Sequence, residues 1–252
     1  MPLPSKDFDP TEAGVIFYQL MMQGCEVIIA TPRANVAEPD QLMFTGKKLG
    51  LLKYALMADK NGRLSCNYML TSKSFKNPIS YDAINVNEYD GIVLPGGHDK
   101  GMREYLESKI LQHKVLEFDE SKKLIAAICH GVIVLARTKN KTGRSILFNK
   151  KVTSLLKNQE MLAFNLTRVY LGDYYLTYPI TVEDEVKSVL QDENQFKSGI
   201  KYNNFFTVSL LKRDEVNKYD DSFVVHDENI LTARWPGDAH YLSRKILDVL
   251  SM

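Results

Sequence analysis

LIAAICHGVIVLA, residues 124–136, is the stretch that decides the fold. An apolar run of strand type ends at Cys129, His130 and Gly131, and a second apolar run of helical type carries the chain away. A side chain at such a strand-to-helix corner is lifted clear of the sheet, at a cost in backbone strain. The sulfur of Cys129 then faces the positive end of a helix, which favours thiolate over thiol. Gly131, without a side chain, lets the helix start close to that sulfur. Taken alone, Cys129 reads equally well as an inert cysteine closing a core strand. His130 and Gly131 favour the reactive reading, because a deeply buried strand seldom continues into an imidazole and a glycine.

Working outward, YDGIVL (residues 89–94) is a second strand, and it runs into Pro95, Gly96, Gly97 and His98. In an open α/β sheet the carboxyl edge, where such turns fall, is where ligands bind. Amides freed at Gly97 and His130 form the two halves of an oxyanion hole; without Cys129 the Gly96-Gly97 pair reads as an ordinary tight turn. Upstream, residues 11–21 form a helix with Thr11 as N-cap and Glu12 in its first turn, stopped by Gly24, and EVIIA (residues 26–30) is a short buried strand. Downstream, residues 102–121 read as an amphipathic helix, residues 139–151 as a solvated basic loop, and residues 152–156 as a strand. Residues 159–170 form a helix with Glu160 near its start. GDYYLTYP (residues 172–179) is a tyrosine-rich loop that lines a pocket or packs on the sheet. Residues 184–190 are a short helix, residues 205–210 a strand, residues 223–233 a hairpin, and residues 238–250 a terminal amphipathic helix. Strands alternating with helices are the α/β signature, and one domain over residues 1–252 accounts for the pattern.

Composition narrows the function. With 32 basic and 31 acidic residues the net charge is +1, so no global field recruits nucleic acid or an anionic membrane. Three cysteines without paired spacing argue for a reducing compartment and against a disulfide or zinc framework. No stretch reads as a bilayer span or a signal peptide, so the expected location is the cytoplasm, with the nucleus also open. His98, Arg234, Asp238 and His240 lack close ligand spacing, which speaks against a metal site. Arg234 and Asp238, with Trp235, read as a pocket rim or a subunit contact.

DFDPTE (residues 7–12), YDGIVLPGGH (residues 89–98), AICHG (residues 127–131), TGR (residues 142–144) and ARWPGDAH (residues 233–240) occur in an order that resembles the ThiJ/PfpI superfamily. These are cysteine-containing relatives of the class I glutamine amidotransferases. Within them the chain is most similar to the branch of glutathione-independent glyoxalases and heat-shock chaperones. The resemblance implies a three-layer, flavodoxin-like α/β sandwich with a mostly parallel central sheet, a nucleophile elbow at Cys129, and a homodimer. It makes Cys129 the nucleophile, His130 its partner, Glu12 the acid beside the sulfur and Glu160 the carboxylate that orients the histidine. Gly96, Gly97, His98 and Gly131 line the oxyanion and substrate site.

The implied reaction needs no cofactor or metal. It converts a small 2-oxoaldehyde such as methylglyoxal to lactate through a Cys129 thiohemiacetal, with His130 activating the final water. Oxidative-stress sensing, holding-chaperone activity and peptidase or deglycase chemistry are the alternatives within the superfamily. Amidotransferase chemistry is disfavoured, since it needs a histidine and a glutamate far downstream of the cysteine. Two departures stand out. The first strand of relatives precedes their PLP-type loop, whereas Met1 falls inside that loop, so the first strand is expected to be missing or truncated, through a start placed too far downstream. Asp99 and Lys100 follow His98 where many relatives carry small residues.

Overall fold

The computed structural model describes residues 1–199 and 213–251. Its strands are β1 (Lys6–Phe8), β2 (Ala30–Thr31), β3 (Glu38–Pro39), β4 (Ile79–Ser80), β5 (Gly91–Leu94), β6 (Leu124–Ile128), β7 (Val224–Asp227) and β8 (Ile230–Ala233). Its α-helices are α1 (Pro10–Met22), α2 (Gln41–Thr45), α3 (Lys53–Leu56), α4 (Lys60–Thr71), α5 (Lys73–Lys76), α6 (Arg103–Leu106), α7 (Lys109–Glu120), α8 (Gly131–Arg137), α9 (Lys157–Leu171), α10 (Val182–Ser188) and α11 (Ala239–Leu250).

Strand β6 is central, paired in parallel with β5 on one side and β8 on the other, and β7 closes the order β5-β6-β8-β7 by running antiparallel to β8. The architecture is α/β and the sheet is mixed. All five residues of β6 are buried, which is why its sequence is a continuous apolar run rather than an alternation. Helices α7 and α8 pack on β5 and β6, whereas α11 packs on β6 and β8, with α1 against α11 and α4 against α1. Because Leu94 pairs in register with Ala127, the strands end side by side. Parallel pairing therefore delivers the Pro95–His98 turn and the Cys129 corner to one edge.

Several local expectations shift. Asp9, not Thr11, caps α1, accepting from the Thr11 and Glu12 amides at 2.7 and 2.9 Å. Pro10 suits the first helical position because it has no N–H to leave unpaired. The expected strand over residues 26–30 is regular only at Ala30–Thr31, where β2 pairs with β4. In the residues before it, the Ile29 amide turns to Ser74 Oγ at 2.9 Å. Residues 102–121 divide at Ser108, whose hydroxyl caps α7 by accepting from the Leu111 amide at 3.2 Å. Of residues 152–156 only Val152 makes a β-bridge, to Phe196; the Thr153 amide donates to Thr232 Oγ1 at 2.9 Å. The strand expected over residues 205–210 lies outside the described residues. The hairpin expected over residues 223–233 is present as β7 and β8, turning at Glu228 with φ 53°.

At the amino end, Leu3 donates to the Ala30 carbonyl at 2.8 Å and Ala30 to that of Met1 at 3.1 Å. The Met1 amine donates to the Ile28 carbonyl at 2.7 Å. Burial drives that amine down to about 5, so it is held uncharged at neutral pH. A cavity of about 440 Å³ lies between this segment and β5, walled by Met1, Ile28, Ala30, Gly91 and Val93 among others. Among the described residues, no helix is long and apolar enough to cross a membrane.

Candidate active site

Cys129 sits between the last residue of β6 and the first of α8 at φ 58°, a left-handed conformation that a residue with a side chain adopts only under constraint. Its amide is tied to the Ala233 carbonyl at the end of β8, 3.1 Å away. The sulfur lies 3.4 Å from Nδ1 of His130. Both residues are buried.

Glu12, fully buried in the first turn of α1, reaches the same point from across the sheet edge. Its Oε2 accepts from the Gly96 amide at 2.7 Å, and the Gly96 carbonyl accepts from the Asp9 amide at 2.8 Å. A methyl group placed on Gly96 would lie 2.8 Å from Glu12 Oε2, 2.8 Å from the His130 nitrogen and 3.0 Å from Cys129 Cβ. The acid, the amide and the thiol therefore converge on one small volume. Oε1 of Glu12 has no hydrogen-bond partner among the described residues.

Charge states follow from this crowding. Burial, reinforced by the Asp9 carboxylate, holds the Glu12 carboxyl well above the usual range, which favours its protonated form. Burial also pushes the Cys129 thiol well up, with the Asp9 charge adding to it. Here the expected thiolate is corrected: α8 has only seven residues, and its partial charge does not offset desolvation of the sulfur. His130 is driven down to about 3 by burial, with the His98 charge adding to the shift, so the imidazole is neutral. Burial thus favours a neutral acid, thiol and imidazole in the resting site.

Glu160, in the first turn of α9, comes within 3.8 Å of His130 Nε2 through Oε1, while its Oε2 accepts from the Val182 amide at 2.9 Å. Burial raises it to about 7, opposed by the Val182 N–H and helped by the Asp184 and Glu185 charges. His98 is stacked on Tyr175 with ring centroids 4.4 Å apart, and its buried Nε2 has no partner among the described residues. Gly97 follows Gly96 at φ 150° in the same turn. Gly131 starts α8 against the Leu94 carbonyl, leaving no room for a Cβ.

In front of the sulfur is a cavity of about 130 Å³, with Leu52, Leu56, Leu155 and Leu162 as apolar wall and Glu160, His98 and Arg213 as polar points. The Arg213 guanidinium lies 5.7 Å from the Trp235 ring centroid. Of the residues expected at the site, Glu12, Gly96, His130 and Glu160 lie beside Cys129 or its partner His130, and His98 lines the same cavity, whereas Gly97 meets Asp7, Asp9 and Met102. Arg234 and Asp238 are instead a fully buried ion pair at 2.8 Å, and His240 pairs with Asn61 at 2.6 Å. Sequence reading missed Thr177, whose hydroxyl lies 3.1 Å from His130 Nε2, as well as Asp9 and Arg213. For Thr177 the only sequence signal was the tyrosine-rich loop that carries it.

The family model described as ThiJ/PfpI family-like matches residues 3–200. The chain belongs to the ThiJ/PfpI family. Among curated ThiJ/PfpI-like relatives, the Schizosaccharomyces pombe protein hsp3105, provisionally named a glutathione-independent glyoxalase, is 25% identical over 161 residues, 59% of this chain and 62% of that protein. The S. pombe glutathione-independent glyoxalase hsp3101 is 32% identical over 84 residues, 32% of this chain and 34% of that protein. The match thus spans less than two thirds of each relative's length. Glyoxalase III from Candida albicans superimposes with a TM-score of 0.66 at 17% identity, over 96% of this chain and 87% of that one. At that identity the superposition speaks for the fold.

Proposed function

We propose that this ThiJ/PfpI protein is a glutathione-independent glyoxalase that converts 2-oxoaldehydes to 2-hydroxy acids at a Cys129 elbow. The observation that carries the reading is the convergence of the buried Glu12 carboxyl, whose proton burial favours, with the Cys129 sulfur and the His130 imidazole. A rearrangement that moves a proton between adjacent carbons needs an acid that both gives and takes it.

As Sγ adds to the aldehyde carbon, its proton passes to His130 Nδ1 and the Glu12 proton passes to the aldehyde oxygen, giving a thiohemiacetal. The Glu12 carboxylate then removes the hydrogen from that carbon while the imidazolium protonates the neighbouring ketone oxygen, giving an enediol. Glu12 returns its proton to the second carbon, and His130 takes the hydroxyl proton from the first. A thioester of the 2-hydroxy acid results, with the first carbon oxidised and the second reduced. Water, losing a proton to Glu12, attacks the thioester. The sulfur leaves with the proton from His130, restoring all three neutral groups. In this reading the oxygen that gains charge takes its hydrogen bonds from backbone amides at Gly97 and His130.

The test is lactate formation from methylglyoxal by purified protein without glutathione and with metals chelated. The expected result is turnover that falls to the uncatalysed rate in Cys129→Ala; a folded wild type that makes no lactate overturns the reading.

Glu160 supplies a pH signature. With a carboxyl near 7, it loses its proton as pH rises through neutrality, and the resulting charge stabilises the His130 imidazolium formed in each step. The value of kcat/KM is therefore expected to fall about tenfold per pH unit below that point and to level off above it. Glu160→Gln is expected to lower the plateau and remove the bend. A wild-type profile that is flat between pH 6 and 8 would rule this role out.

A further inference from the structure

Thr177 is fully buried, and its backbone is clamped independently of its side chain: Arg103 donates Nε and Nη2 to its carbonyl at 3.0 and 2.5 Å. Its hydroxyl meets two groups, the His98 carbonyl oxygen at 2.5 Å and His130 Nε2 at 3.1 Å. A hydroxyl has one proton to donate and lone pairs with which to accept. The carbonyl can only accept, so the proton of Thr177 is committed to His98. What remains for His130 is a lone pair, and a lone pair holds Nε2 only if Nε2 carries hydrogen.

A neutral imidazole carries one N–H, so a hydrogen on Nε2 leaves Nδ1 bare. Nδ1 is the nitrogen 3.4 Å from the sulfur. We propose that Thr177 is a positioning residue that fixes the tautomer of His130, through a proton chain running from His130 Nε2 to Thr177 Oγ1 to the His98 carbonyl, and so makes Nδ1 the acceptor of the Cys129 proton. Glu160, whose Oε1 stands 3.8 Å from the same Nε2, is beyond hydrogen-bond reach and stabilises charge without choosing the tautomer. The chain also ties the turn carrying His98 to the corner carrying Cys129, so both halves of the site share one hydrogen-bonded register. The kinetic consequence rests on the glyoxalase reading; the tautomer assignment does not.

The test uses the whole protein labelled with ¹⁵N-histidine. Among its five histidines, His130 is identified as the ring signal lost in His130→Gln. The expected wild-type spectrum shows His130 protonated at Nε2 and bare at Nδ1. Thr177→Val, similar in shape but without the hydroxyl, is expected to give a mixture of tautomers. It should also slow both methylglyoxal turnover and iodoacetamide alkylation of the Cys129 peptide by about 10²-fold, within the range for losing a correctly presented base. Thr177→Ser should restore all three readouts. A wild-type His130 protonated at Nδ1 overturns the proposal even if the valine variant does not fold. So does a folded Thr177→Val with the wild-type tautomer and alkylation rate. A wild type without turnover, but with the expected tautomer and alkylation pattern, overturns the glyoxalase reading and supports the role of Thr177.

Discussion

Glu12→Gln is expected to divide the reaction in two. The amide has nearly the size of the carboxyl and its oxygen still accepts from the Gly96 amide, which now approaches Glu12 Oε2 at 2.7 Å. The local structure is retained. The thiol can still add to the aldehyde, because His130 Nδ1, 3.4 Å from the sulfur, takes its proton and hands it to the aldehyde oxygen in place of Glu12. Glutamine can neither remove the carbon-bound hydrogen nor return it, so the path stops at the thiohemiacetal.

Lactate formation is expected to fall about 10²- to 10⁴-fold, the range for loss of a general acid-base group. Mass spectrometry of the intact variant mixed with methylglyoxal should show an adduct equal to one substrate molecule, absent in Cys129→Ala. A Glu12→Gln enzyme within about threefold of wild type would remove Glu12 from the proton-transfer role. Loss of adduct together with turnover would assign it to activation of the sulfur instead.

Gly131→Ala is expected to damage the fold. A Cβ at this position would stand 2.1 Å from the Leu94 carbonyl oxygen and 2.9 Å from that of Pro95. Both atoms are backbone, and Leu94 is held in register by β6, so the strain cannot be relieved by turning a side chain. Alanine is favoured over glycine in a helix by about 1 kcal/mol, whereas forcing an atom into such a space costs about 3 kcal/mol or more. The clash wins. For a chain of this size, the net loss of about 2 kcal/mol lowers Tm by roughly 4–8 °C. A thermal melt that leaves the variant at or above the wild-type Tm would mean that the helix and the β5 turn do not approach this closely.

Much of this site is local in origin and hence legible. The apolar run of β6 appears as such because its residues are buried on both faces, and the break at Cys129-His130-Gly131 marks the corner where the strand ends and α8 begins. Glu12 could be singled out because an acid in an apolar first turn needs a partner. The cap of α1 was misplaced by two residues because Thr11 and Asp9 are both competent acceptors. Only the observed bonds from the Thr11 and Glu12 amides to Asp9 distinguish them. The helix expected over residues 102–121 was read as continuous because Ser108 interrupts the pattern without glycine or proline.

By itself the sequence determined the central strands, the corner between β6 and α8, and the identity of the sulfur, imidazole and two carboxyl groups near it. The strands and the corner are written in runs of neighbouring residues, where strand and helix periodicity act, whereas the two carboxyl groups are implied by the resemblance to the ThiJ/PfpI superfamily. The charge states and the tautomer depend on tertiary structure alone. Glu12 meets Gly96 across 84 positions of chain, and Thr177 meets His130 across 47. A pKa or a shared proton depends on which groups and how little water surround an atom. For Cys129 that dependence reversed the local expectation: a helix start favours the thiolate, and burial beside Glu12 keeps the thiol.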